Sequence, residues 1–136
     1  MNNTIIALTG YISWILVLLV ILAAYRTQFA KKNQKSLKFK SDGSDTDALG
    51  ERITRAQANC VESFSFIGGT MLLAIATGAS VITDGLALYV LVARLAQSIV
   101  HLSSTSNMAI QIRFVFFLIQ VVICIYWLYS ISMKFL

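Results

Sequence analysis

The residues of this chain that could do chemistry are polar side chains set into otherwise apolar sequence. One group recurs at offsets of 0, 3, 7 and 10, which places its members on one face of an α-helix: Arg52, Arg55, Asn59 and Glu62. A second group shares a helix face at offsets of 0, 3 and 7: Arg94, Gln97 and His101. Each of the two helices therefore carries one polar stripe.

The two stripes can face each other if their helices are antiparallel neighbours. Residues at equal depth then have position numbers with a constant sum, a condition met by Glu62 with Arg94, Asn59 with Gln97, and Arg55 with His101. We therefore expect an ion pair between Glu62 and Arg94. That pair could serve binding or could simply hold the two helices in register, and the sequence leaves both interpretations open.

More cations than carboxylates remain near this site. Arg52, Arg55 and Arg113 are unmatched once Glu62 is assigned to Arg94. Arg113 follows closely on the predicted start of a helix, where the helix dipole adds to its positive charge. Because a thiolate or carboxylate would be stabilised there, we expect an anion to complete the site.

Four long apolar stretches must position these side chains. The chain has 136 residues, of which 57% are hydrophobic and 12% charged, whereas soluble domains average about 25% charged residues. Each stretch approaches the roughly 20 residues that a helix needs to cross hydrocarbon. The sequence predicts an all-α membrane protein with one domain, residues 1–136, built as a four-transmembrane-helix bundle with spans at about 4–25, 57–81, 86–103 and 109–133.

The distribution of basic residues predicts the topology. Eight of the eleven Lys and Arg residues lie between the first two spans: Arg26, Lys31, Lys32, Lys35, Lys38, Lys40, Arg52 and Arg55. This excess indicates that the connection at about residues 26–50 is cytoplasmic, so both termini should be non-cytoplasmic. Contact with anionic membrane lipids accounts for the charge, and we expect no nucleic-acid partner.

The connections have recognisable signals. The polar composition of residues 31–47 predicts a loop that does not pack, and Asp47 can cap a helix starting near Ala48 or Gly50. The run Thr83, Asp84 and Gly85 predicts the tight turn between spans two and three. Ser106 or Asn107 can cap the fourth helix.

Each candidate site residue also has a plainer interpretation. Arg52 and Arg55 could anchor the chain at the membrane surface, and Arg113 could extend its side chain to lipid headgroups. A single His101 near a membrane boundary is often a hydrogen-bonded packing residue. Cys60 and Cys124 have no metal-ligand or CxxC spacing, so neither a metal site nor a disulfide framework is predicted.

The run from Glu51 to Glu62, ERITRAQANCVE, resembles the helix-two signature of the MAPEG family, membrane-associated proteins in eicosanoid and glutathione metabolism. The similarity extends more weakly through helix three and to the start of helix four. It implies a homotrimer that binds glutathione between neighbouring subunits near the cytoplasmic face. It also implies that Arg113 is the candidate catalytic residue, which stabilises the thiolate. The glutathione-binding residues that it implies are Arg52, Arg55, Asn59, Glu62, the further candidate Arg26, and Gln97 and His101 on helix three.

The function that the resemblance implies is a glutathione-dependent membrane transferase or peroxidase acting on hydrophobic electrophiles or lipid hydroperoxides. The chain departs from the family pattern at Ser65, where relatives commonly have proline, and at Gln97 and His101, where they often have His or Tyr. These departures favour an alternative, a non-catalytic lipid-binding or scaffold membrane protein of the same fold. A small transporter or channel is a third interpretation, weakened by the absence of broken-helix signals.

Overall fold

Four long helices make up the computed structural model, which describes residues 2–34 and 36–136. They are α1 (Asn3–Lys32), α2 (Ala48–Ala76), α3 (Ser80–Ser103) and α4 (Asn107–Phe135). Each is long and apolar enough to cross a membrane. The predicted four-helix membrane bundle is confirmed. Lys35, one of the eight basic residues assigned to the first connection, lies outside the described residues.

Side-chain caps stand at the start of three of the helices, and two of these caps were predicted. Asp47 Oδ1 accepts a hydrogen bond of 2.9 Å from the backbone amide of Gly50, so α2 begins at Ala48. Ser106 Oγ accepts one of 3.2 Å from the amide of Ala109 at the start of α4. Both predicted caps are confirmed.

The turn between α2 and α3 differs from the prediction. It lies at residues 77–79, where Gly78 adopts a φ of 70°, a conformation that favours glycine. The prediction of a turn at Thr83, Asp84 and Gly85 is wrong, because all three belong to α3. Thr83 is buried and Asp84 accepts hydrogen bonds from α1, so tertiary contact overrides the local preference of this run for a turn.

The first connection is shorter and better packed than expected. Because α1 continues to Lys32, only residues 33–47 connect it to α2. Phe39 lies with its ring centroid 6.2 Å from that of Phe29 on α1. Gly43 approaches α2 so closely that an added methyl group would lie 2.7 Å from Thr54 Oγ1. The expectation of an unpacked loop is therefore wrong, because Phe39 packs against α1 and Gly43 packs against α2.

The core of the bundle lies along α2 and α3. Helix α1 packs against both, and α4 packs against both on the opposite side. Apolar side chains such as Ile67, Val90 and Trp127 fill most of the interior. The outward faces are also apolar, as at Val20 and Val122, and are suited to lipid tails. The largest polar side chains in the interior, Arg94, Gln97, His101 and Gln120, lie on α3 and α4.

Candidate functional site

The polar stripes of α2 and α3 face each other. Gln97 Nε2 lies 3.5 Å from Asn59 Oδ1, which follows the predicted register. Nearer the end of the bundle where α2 begins, Arg52 Nε donates a 2.9 Å hydrogen bond to the carbonyl of Leu102 on α3. The 3.6-residue period therefore brings the two stripes together along one line.

Arg94 does not form the expected ion pair with Glu62. Its Nη1 donates instead to Asn59 Oδ1, and its Nε donates to Gln120 Oε1 on α4 at 3.1 Å. Glu62 is exposed, and its carboxylate makes no ion pair among the described residues. The expectation is corrected because Asn59, one turn before Glu62, is the residue that points into the bundle at the depth of Arg94.

A cavity of about 300 Å³, here called the rim cavity, opens near the beginning of α2, and three of the eight residues that line it are arginines. Its lining includes Glu51, Arg52, Arg55, His101 and Arg113. Helix α2 supplies the first three of these side chains, whereas α3 and α4 each supply one. Three guanidinium groups and one carboxylate share this space.

A second cavity of about 280 Å³, here called the amide cavity, adjoins the first. It shares His101, Ile110 and Arg113 with the rim cavity and adds Asn59 and Gln97 from the polar stripes. Two phenyl rings of α4, Phe114 and Phe117, complete its lining. The combined site is thus cationic at one end and amide-lined with an apolar wall at the other.

Hydrogen-bond donors outnumber acceptors in this site. Arg55 pairs with Glu51 at 2.9 Å, but 58% and 40% of the two side chains are exposed, so the pair leaves Arg55 free to bind other anions. Arg113 Nε is buried and has no hydrogen-bond partner among the residues that the structure describes. A buried donor without a partner costs free energy, and an anionic ligand would remove that cost. The arrangement is therefore suited to an anion that accepts several hydrogen bonds.

The two cavities hold most, but not all, of the residues that the sequence nominated. Arg52, Arg55, His101 and Arg113 line the rim cavity, and Asn59 and Gln97 line the amide cavity. Three nominated residues, Arg26, Glu62 and Arg94, line neither.

Arg26 lies beneath the first connection. Its Nη2 donates to Lys40 O and Thr54 Oγ1, both at 3.4 Å, and its guanidinium lies 5.4 Å from the centroid of the Phe39 ring. In a single chain its role is to hold the connection against α1 and α2.

Sequence reasoning missed Gln120, which is fully buried and bonded to both Arg94 and Gln97. The one signal for it was an amide in the middle of an apolar helix, since every residue from Phe114 to Ile119 is apolar. Such a residue inside a membrane needs a partner, but its sequence position does not say which helix supplies it.

Comparison with known proteins identifies the family. No curated protein and no solved structure matches this chain. The MAPEG family profile matches residues 4–133, which include all but the outermost residues of the four helices. Membership of this family supports a glutathione-related or eicosanoid-metabolism membrane protein in general. The chain belongs to the MAPEG family and is a multi-pass integral membrane protein.

Proposed function

We propose that this protein is a glutathione-dependent membrane transferase or peroxidase that acts on hydrophobic electrophiles or lipid hydroperoxides. The observation that carries the proposal is the convergence of Arg52, Arg55 and Arg113 on one cavity with a single carboxylate, Glu51. Family membership supports it in general terms. Within the family, the helix-two run is similar to that of leukotriene C synthase, which points to the same chemistry.

The residues present fit glutathione, which has two carboxylates, an ammonium group and a thiol. Arg52 and Arg55 can bind carboxylates through their guanidinium forks, and Glu51 is the carboxylate available to the ammonium group. Asn59 and His101 can hydrogen-bond the peptide groups. Because Arg26 and Glu62 lie outside both cavities, they can contribute only from a neighbouring subunit, and we propose that the protein forms a homotrimer with glutathione bound between subunits.

Arg113 has the catalytic role in this proposal. Bound glutathione supplies a thiol whose thiolate form attacks an electrophilic carbon or reduces a hydroperoxide. Lowering a thiol pKa of about 8.5 by two units takes about 2.7 kcal/mol. One charge-assisted contact of about 1.5 to 3 kcal/mol can supply it, and Arg113 Nε has no hydrogen-bond partner in the described part of the chain.

The apolar wall of the amide cavity suits the second substrate. Phe114 is 58% exposed on the outer face of α4, and Phe117 is half-buried behind it. A hydrophobic molecule could therefore reach the site sideways from the bilayer, whereas glutathione would enter the cationic rim cavity from water.

Glutathione binding is tested with the purified protein in detergent or nanodiscs. Millimolar glutathione should raise the melting temperature, because a ligand that binds only the folded state stabilises it. Thiolate absorbance should appear at neutral pH. Arg113→Ala should lower the ratio of thiolate to thiol about 100-fold, equivalent to two pKa units, while binding persists.

Lys134→Ala is the matched control, since it removes a cation from the far end of the same helix. It should leave both signals unchanged. A melting temperature that does not respond to glutathione would remove the proposed function, and undiminished thiolate absorbance in Arg113→Ala would remove the role of Arg113.

A second function, a lipid-binding or scaffold protein that does not turn over, is favoured by one observation. The residues lining the two cavities include no tyrosine, and the helix-three positions that face them are Gln97 and His101. Incubation with glutathione and chlorodinitrobenzene separates the two functions. Conjugation far above the uncatalysed rate excludes the non-catalytic protein, whereas binding without conjugation supports it.

A further inference from the structure

Four side chains at the floor of the amide cavity form one hydrogen-bonded unit, here called the amide cluster: Asn59, Arg94, Gln97 and Gln120. Arg94 donates to Asn59 Oδ1 and, at 3.1 Å, to Gln120 Oε1. Gln120 Nε2 donates to Gln97 Oε1 at 2.9 Å and to the carbonyl of Phe116 at 3.0 Å. Gln97 Nε2 completes the ring with a longer contact of 3.5 Å to Asn59 Oδ1.

The direction of every bond in the cluster follows from Arg94. A guanidinium has five donors and no acceptor, so an amide that bonds to it must present its oxygen. This requirement orients Asn59 and Gln120 directly. With its oxygen held by Arg94, Gln120 turns its NH₂ group to Gln97 and thereby engages the oxygen of Gln97. Both amides that line the cavity are thus oriented by one buried cation.

The orientation of the two amides determines which of their atoms a ligand in the amide cavity can reach. Asn59 Nδ2 has no hydrogen-bond partner among the described residues, and Gln97 Nε2 has only its long contact with Asn59. Both oxygens are engaged inside the protein, so what remains for a ligand is two NH₂ groups. Arg113, which lines the same cavity, adds further donors.

We propose that Arg94, acting partly through Gln120, fixes the amides of Asn59 and Gln97 with their NH₂ groups toward the cavity, and that this polarity selects a ligand atom that accepts hydrogen bonds. A carboxylate, a peptide carbonyl or a thiolate fits this position, and an ammonium group, which has donors only, does not. The identity of the ligand as glutathione rests on the proposed function, whereas the orientation of the amides does not. Gln120 is a positioning residue, because it acts on the ligand through Gln97.

The burial of Arg94 supports a purpose beyond packing. Its side chain is fully buried, and within residues 2–34 and 36–136 its polar partners are neutral amides and its Nη2 has no hydrogen-bond partner. A buried cation without a carboxylate is costly in a membrane, and an apolar residue would fill the same space without that cost. The cation also adds a positive field beneath the cavity, of the sign that an anionic ligand requires.

The test replaces Gln120 by two residues of similar size. In Gln120→Glu, the carboxylate accepts from Arg94 and also from Gln97 Nε2, so the amide of Gln97 turns its oxygen toward the cavity. Glutathione binding should weaken roughly tenfold, the effect of exchanging one donor for an acceptor. In Gln120→Met, which is uncharged, Gln97 loses its constraint and binding should weaken about threefold.

Gln111→Glu is the matched control, because it makes the same chemical change on the same helix at an exposed position outside both cavities. It should leave affinity within the error of calorimetry. Heteronuclear NMR of side-chain amides in the glutathione-free protein supplies a second readout. The Gln97 signals should shift in both Gln120 variants and stay in place in Gln111→Glu.

The outcomes separate this inference from the proposed function. If the wild-type protein binds glutathione but both Gln120 variants bind equally well with unmoved Gln97 signals, the inference is overturned and the proposed function stands. If the Gln97 signals shift but no variant, including the wild type, binds glutathione, the orientation stands and the proposed function falls. If glutathione binding weakens only in Gln120→Glu and the Gln97 signals do not shift, the added negative charge explains the loss, and the inference is overturned.

Discussion

The two ends of the bundle differ in how completely their polar side chains are hydrogen-bonded. At the end where α1 begins, five residues form what we call the terminal clasp: Asn2, Thr4, Ser80, Thr83 and Asp84. Asp84 Oδ1 accepts from the amide and the hydroxyl of Thr4 at 2.9 and 2.6 Å, and Asn2 Nδ2 donates to Ser80 Oγ at 2.7 Å. At the other end, Arg113 Nε and Asn59 Nδ2 have no hydrogen-bond partner among the described residues.

The difference separates a structural role from a binding role. Polar groups whose hydrogen bonds are complete hold α1 against α3, and little is left over for a ligand. Donors left without partners in a cavity mark a place where a ligand can complete the bonding. Substitutions in the terminal clasp should therefore change stability and leave binding intact, and substitutions at the cavities should do the reverse.

The largest effect is expected for Arg55→Ala. Because a hydrogen bond to a charged group contributes about 1.5 to 3 kcal/mol, glutathione affinity should fall roughly 10- to 100-fold. Stability should change little, since 58% of the Arg55 side chain is exposed. Arg55→Lys, which keeps the charge but loses the fork, should give an intermediate loss by calorimetry. A lower melting temperature with unchanged affinity would place Arg55 among the structural residues and contradict the comparison.

The terminal clasp is tested by Asp84→Ala, which removes an anionic acceptor of two hydrogen bonds from Thr4. The free energy of unfolding should fall by about 1.5 to 3 kcal/mol, whereas glutathione affinity of the folded protein should not change. Asp84→Asn keeps one acceptor oxygen and should cost less. Affinity that falls in proportion to stability would show that the two ends are coupled rather than separate.

Local signals account for much of what could be predicted from the sequence. The 3.6-residue spacing of Arg52, Asn59 and Gln97 identified which faces of α2 and α3 meet, because periodicity is a property of each helix alone. Asp47 and Ser106 identified two helix starts, because a cap depends on a side chain and an amide three residues away.

Contacts between distant parts of the chain could not be predicted in this way. The rotation of α4 about its axis brings Gln120 to Arg94 and depends on packing against two other helices. Because most residues of α4 are apolar, its sequence does not indicate which face points inward. Asp84 resembled a turn residue because its partner, Thr4, is 80 positions away in the chain. Opposite charge and equal predicted depth paired Glu62 with Arg94. In the structure Arg94 bonds instead to the neutral Asn59, which lies one helical turn before Glu62.

The smallest expected effect concerns the start of α2, beside the rim cavity. The hydroxyl of Tyr25 and the amide of Gly50 both donate to Asp47 and hold the pKa of its carboxyl below the ordinary value of 3.8. A carboxyl with a lowered folded-state pKa contributes stability above its unfolded pKa and loses it as the pH falls through the folded value.

Asp47→Ala removes the cap, and the free energy of unfolding should fall by about 1 kcal/mol at neutral pH. Asp47→Asn should keep most of the cap but lose the part of the acid sensitivity that belongs to this residue, which melting curves below pH 4 would reveal. The pKa of Asp42 is also lowered, by hydrogen bonds from Ser44, but this residue is present in all three proteins and its contribution cancels in the comparison. Equal acid sensitivity in the wild type and Asp47→Asn would show that the carboxylate charge adds nothing to the cap. The only contribution of Asp47 to the rim cavity would then be to fix the residue at which α2 begins.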